Sequence, residues 1–208
     1  MAGELTAILL TRLRYRVCDV GAARWDDADC YDALSRAQRA VTIDLNDNAL
    51  WPLANVDETT LTEGVQEYAL PDDLLRVRAL RYKTGWAQLW DVAHLGVLVA
   101  DETDPAYVLW NGQVRFRNVV TQDDGDTYVM LYMRHPADIA ATVNPSLPVQ
   151  YWGLLLEYAA GLLFQGDELL QDVAQRAMQR YQDLVAVVNG VYSTPMSAEN
   201  IPVDARQR

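Results

Sequence analysis

The spacing of apolar residues changes twice along this chain, and that change restricts the fold more than any other feature. Up to about residue 48 apolar side chains recur every three or four positions; from about 64 to 134 they alternate; from 149 they return to helical spacing. Such a chain must hold β-structure between two helical regions.

Leu5, Ile8, Leu9, Leu13 and Val17 predict a first helix over residues 3–18. Asp26 can cap a second, with Asp27 and Asp29 in its positive first turn. Its stripe is Tyr31, Leu34, Gln38, Val41 and Leu45, ending near Asn48. In "GVQEYALPDDLLRVRALRY", residues 64–82, Pro71 separates two strands because it has no N–H to give a ladder. Asn111–Gly112 between "YVLW" and "QVRFR" predicts a type I′ hairpin, since both residues tolerate positive φ. Val114 and Phe116 then share one face, and Gln113, Arg115 and Arg117 the other. "TYVMLYM", residues 127–133, is apolar on both faces, as in a strand covered on both sides or lying at an interface. Ala93–Ala100 fits either a strand or a helical turn.

Pro136, Pro145 and Pro148 mark the return to helix. Val149, Trp152, Leu155, Leu156, Ala159, Leu162 and Leu163 give a third helix with a broad apolar face. Gly166 ends it, and Asp167 caps a fourth, whose stripe runs from Leu170 through Tyr181 to Val188. Asn189–Gly190 is a fitting C-cap pair. The predicted class is α+β: an antiparallel α-helical bundle from residues 1–63 and 135–190, a β-rich insertion at 64–134 between helices two and three, and an extended C-terminal tail at 191–208.

At 208 residues the chain suits one domain, or one domain with a sizeable insertion. A hydrophobic share of 50% beside 22% charged residues is that of an ordinary soluble protein. With a net charge of −12, bulk electrostatics do not draw it to DNA or anionic lipid. Sixteen arginines against one lysine, Lys83, suit fixed bidentate pairs with carboxylates. The longest apolar run, Val149–Phe164, carries Glu157 and falls short of a membrane span. Glu4 and the absence of a basic leader do not make a signal peptide, so a soluble product of the cytoplasm is expected.

Catalytic chemistry has little to stand on. Cys18 and Cys30, each within a predicted helix, read as small buried hydrophobes and make no metal or disulfide framework. The two histidines, His94 and His135, read as structural or surface residues. The clusters Asp26–Asp27–Asp29–Asp32, Asp101–Glu102–Asp104 and Asp123–Asp124–Asp126 lack the ligand order and closing Glu of an EF-hand and fit turns and caps. No nucleophile elbow, phosphate loop or zinc motif occurs. The reading is a binding or assembly protein, not an enzyme, with no cofactor and no metal.

Arg76, Arg78 and Arg81, with Arg115 and Arg117 across the hairpin, form one basic constellation. As a functional site it would pair with an acidic neighbouring subunit in preference to DNA phosphates; as a bland feature it deters edge pairing. The width of the apolar face around Trp152 and Leu156 exceeds what a small bundle buries, which suggests a subunit interface. In the tail, the apolar anchors Val191, Tyr192, Pro195, Met196, Ile201, Pro202 and Val203 include two prolines that preset an extended backbone. That combination fits a docking segment.

In their order, "LTRLRYRVCD", "RWDDADCYDALSRAQRA", "EYALPDDLLRVRAL", "YMRHPADI" and "LPVQYWGLLLEYAAGLLFQGD" resemble the head-to-tail adaptors of tailed phages. Tail-tube-A-like and P22-like podophage adaptors are the nearest comparison. In that family a Tyr-x-Leu-Pro element, here Tyr68, Leu70 and Pro71, introduces the β-insertion. The resemblance implies a dodecameric ring below the portal protein at the head–tail junction of the virion, joined to tail nozzle or tube proteins and made in the bacterial host's cytoplasm. Genomic double-stranded DNA would pass through without tight binding, and the C-terminal segment would reach the portal. The alternatives are a tail terminator or other neck ring protein, and a monomeric ligand-binding α+β domain. A DNA-processing enzyme would have to place a metal on Asp123, Asp124 and Asp126.

Overall fold

The computed structural model describes residues 3–46, 48–82, 85–89, 106–116 and 126–193. Among them are four α-helices, α1 (Glu4–Arg16), α2 (Asp27–Asp44), α3 (Trp152–Gln165) and α4 (Gln171–Val191). Seven strands complete the set: β1 (Ala54–Thr60), β2 (Glu67–Ala69), β3 (Leu74–Tyr82), β4 (Gly85–Leu89), β5 (Ala106–Trp110), β6 (Gln113–Phe116) and β7 (Thr127–Arg134). The chain divides into two compact units, one from the residues up to Leu53 and from Pro136 onward, the other Ala54–His135.

In the helical unit α2 begins with a capping box. The Asp26 carboxylate accepts from the Asp29 N–H at 2.8 Å, and Asp29 accepts from Asp26 N–H at 3.2 Å. Cys30, Leu34, Ala37, Gln38, Val41 and Leu45 are buried along one face. Helix α3 is the hub, packing against α1, α2 and α4, while α1 and α2 touch each other less. Its near-continuous apolar surface requires neighbours on several sides. Gly161 lets α4 approach, since a Cβ there would lie 3.0 Å from Met178 Cε. Buried Gln38 fastens the returning chain: Nε2 donates to Ala137 O at 2.7 Å, and Oε1 accepts from Ser146 N–H at 2.8 Å.

The β unit is one mixed sheet in the order β1-β7-β3-β4-β5-β6-β2. All neighbouring pairs are antiparallel except β4–β5, which is parallel. Its two edge strands, β1 and β2, are joined only by residues 61–66. Such a link reaches at most about 25 Å. Laid flat, seven strands would separate their edges by about 29 Å. The sheet therefore curls into a half-barrel, and aromatic rings fill its hollow. Tyr68 of β2 meets Tyr128 of β7 with ring centroids 5.5 Å apart, and Phe116 of β6 meets Tyr82 of β3 at 4.8 Å. Leu61, Leu80, Tyr107, Val114, Met130 and Tyr132 belong to the same core.

These observations correct the expected class. The fold is mixed α+β, among the described residues four helices plus a curled seven-stranded sheet, and not an antiparallel helical bundle carrying an insertion. The physical reason is twofold. Helix α3 gathers three partners where two successive helix pairs were expected. The sheet meanwhile encloses a core of its own.

Three smaller expectations also resolve. Asn111 (φ 50°) and Gly112 (φ 74°) both take positive φ at the β5–β6 turn. Cys30 is buried, but Cys18 lies beyond the end of α1, exposed, with φ 58°. Helix α4 continues past Asn189–Gly190 to Val191. The ambiguous stretch Ala93–Ala100 lies outside the described residues.

Candidate interaction surfaces

Trp152 is only 3% exposed. Its indole N–H donates to Leu147 O at 3.4 Å, and the Arg12 guanidinium stands 5.4 Å from the ring centre. Leu156 is half-buried. The breadth of the α3 apolar face is therefore taken up largely inside the chain, and Trp152 offers almost no surface to another subunit.

The three strand arginines are arranged by irregularities of register. Arg76 pairs with Met133, Val77 with Tyr132, Ala79 with Leu131 and Arg81 with Val129, so Arg78 is an extra residue on β3. In a regular strand Arg76 and Arg81, five positions apart, would face opposite sides. The extra residue puts both on the side away from Tyr128, Met130 and Tyr132. Arg115 on β6 pairs instead with Glu67 of β2 at 3.5 Å, and Arg117 lies outside the described residues.

Pairing registers assemble a patch on that outer side which the sequence did not announce. One row across four strands reads Glu58, Val129, Arg81 and Trp86; the next reads Val56, Leu131 and Ala79. Val56 is 52% exposed and Trp86 58%. The apolar alternation of β7 has thus a double purpose: Tyr128, Met130 and Tyr132 go into the core, while Val129 and Leu131 remain half-exposed. The "apolar on both faces" pattern was the available signal. Its neighbours could not be found without knowing the pairing.

Of the tail residues, Val191 is exposed at the end of α4 and Tyr192 is half-buried; Pro195, Met196, Ile201, Pro202 and Val203 lie outside the described residues. The point from which the tail departs is held by amide side chains. Asn189 Nδ2 donates to Asp44 O at 2.9 Å, so it caps the carbonyl end of α2 rather than ending its own helix. Asn189 Oδ1 accepts from Asn46 N–H at 2.8 Å, and Asn48 Nδ2 donates to Tyr192 O at 3.1 Å. Exposed Leu184, Val187 and Val191 line one side of the last turns of α4.

The titratable groups do structural work. The Asp19 carboxylate accepts N–H bonds from Ala23 (2.8 Å), Arg24 (3.2 Å) and Trp25 (3.0 Å), organising the α1–α2 link. These bonds, that from Trp25 above all, hold its pKa below the ordinary value. Arg14 pairs with both Asp19 and Asp27 and is held more strongly protonated, chiefly by Asp27. Burial pushes the Cys30 thiol up, which disfavours the thiolate. The Tyr181 phenol, buried and donating to Asp44 Oδ2 at 2.5 Å, is raised by that burial and then by the carboxylate. Among the described residues no group of three or more His, Cys, Asp or Glu side chains could hold a metal ion. Asp123 and Asp124 lie outside them, as does His94. No helix among them is long and apolar enough to cross a membrane.

A family model described as "SU10 adaptor protein" matches residues 6–199, a span that includes both compact units. No curated protein matches the chain.

Proposed function

Because this chain belongs to the SU10 adaptor protein family, a family of phage head-to-tail adaptors, we propose that it forms a ring beneath the portal protein and joins head to tail. The observation that carries this reading is the extent of the match, residues 6–199, which takes in both the helical and the β unit. A role specific to one unit would need only part of that span. The ring is expected to hold twelve copies, to continue the DNA channel, and to pass tail nozzle or tube proteins their attachment surface.

Charge supports a passive channel. At −12 per subunit, a wall of this protein repels the duplex, so DNA can slide through it without a tight site. Arg76, Arg78 and Arg81 then serve contacts between subunits. Val191 and Tyr192, with Pro195, Met196, Ile201, Pro202 and Val203 beyond them, carry the contact to the portal. The asparagine clamp fixes where that segment leaves the helical unit, which reduces the entropy lost when it docks.

Antibody labelling of virions in electron micrographs tests the placement. Label confined to the head–tail junction is the expected result. Label along the tail tube, or its absence from virions, would overturn the proposal; a tail terminator or another neck component would also label the junction, but its purified ring would bind the tail tube and not the portal.

A further inference from the structure

We infer that the Arg-edged outer face of the half-barrel receives the α3–α4 turn of a second copy of this chain, with Leu169 as the inserted residue. The inference rests on the ring reading above and gives it a specific subunit contact.

The receiving face is continuous across hydrogen-bonded strands. Val56, Leu131 and Val129 lie beside one another on β1 and β7, with Arg81 and Trp86 next in the row on β3 and β4. Exposed aromatic and arginine side chains next to half-exposed aliphatics have the composition of interface anchors. Glu58 ends the row at the β1 edge, leaving Arg81 as the charged residue towards the other end, beside the uncharged Trp86.

The inserted group is on the helical unit. Leu169 is 91% exposed, more than any other large hydrophobic among the described residues. It is held in place nonetheless. Its N–H bonds to Asp167 Oδ1 at 2.8 Å, Leu170 N–H bonds to Asp167 O at 3.0 Å, and Gln171 Nε2 closes the turn onto Gln165 O at 2.9 Å. Asp167 is itself anchored by Arg24. Glu168 and Asp172, both exposed, flank the leucine. A preorganised apolar knob with acidic neighbours is complementary to an apolar sheet face edged by arginine.

Ring closure selects the occupant. A ring of identical subunits needs a heterologous interface, meaning two different patches on each copy. The knob and the sheet face are two such patches: exposed Glu168 and Asp172 flank the first, and Arg81 stands exposed on the second. In a chain of net charge −12, an arginine-edged apolar face finds acidic partners most readily on its own kind.

The test is a charge exchange in the full-length chain, with ring assembly on the cognate portal followed by native mass spectrometry. Arg81→Glu alone and Glu168→Arg alone should each raise the subunit concentration needed for half-assembly by about tenfold or more. Carrying both substitutions in the same chain should restore assembly to near the wild-type concentration. Leu169→Asp, at a fully exposed site, should abolish the ring while leaving the circular dichroism and melting temperature unchanged. If wild-type rings form and the single reversals or Leu169→Asp do not affect them, the contact is overturned and the adaptor reading stands. Additive loss in the double variant also overturns it. A folded wild-type chain that forms no ring overturns both.

Discussion

A Cβ at Gly3 would collide with the carbonyl oxygen of Ala141, and its φ of 89° is one that side-chain-bearing residues rarely take. The position is also held from outside: Gly3 N–H donates to Asn144 Oδ1 at 3.1 Å, and Thr6 Oγ1 donates to Val143 O at 2.5 Å. Gly3→Ala should therefore destabilise the isolated chain by more than about 1 kcal/mol, measurable as a lower urea midpoint. Asp19 supplies a pH-dependent counterpart. Its native pKa lies below the unfolded value, so its contribution is full above about pH 4 and is lost as pH falls through the depressed native pKa. Asp19→Asn should lower stability at pH 7 and flatten the acid limb of the stability curve. Equal acid sensitivity in wild type and variant would show that the carboxylate is not the group responsible.

At the scale of elements, the parts legible in the sequence are those governed by local spacing. The stripes of α2 and α4, the Leu9, Leu13 and Val17 part of the α1 stripe (Leu5 and Ile8 are exposed), the cap at Asp26 and the turn at Asn111–Gly112 all depend on residues within one or two turns of each other. What escaped depends on partners distant in sequence. Strand β1, "ANVDETT", has no apolar alternation and is extended because it pairs along its whole length with β7. As an edge strand it is polar, which deters further pairing. The extra residue at Arg78 is visible only through the register with β7, and the parallel β4–β5 pair only through the sheet order. Breadth of an apolar helix was the least specific signal: on α3 much of it is taken up by three intrachain neighbours. Trp152→Ala should accordingly lower the stability of the isolated subunit by about 3–5 kcal/mol. An unchanged melting curve with weakened assembly would instead place Trp152 at a subunit contact.

For the whole molecule, the proposed role is assembly on the portal. Each copy is strongly acidic, so free subunits repel one another at low salt and should stay monomeric or weakly associated. A portal ring offers many equivalent docking points, and the resulting high effective concentration can offset that repulsion. Docking through the tail requires the segment beyond Ser193, whereas the clamp formed by Asn46, Asn48 and Asn189 lies before it. Native mass spectrometry of the purified chain, alone and with its cognate portal, tests this most directly. Expected are mainly monomer alone, a closed ring of twelve copies bound to the portal, and loss of that complex in a chain truncated after Ser193 that still melts normally. A full-length, folded chain that forms no complex with the portal would contradict it.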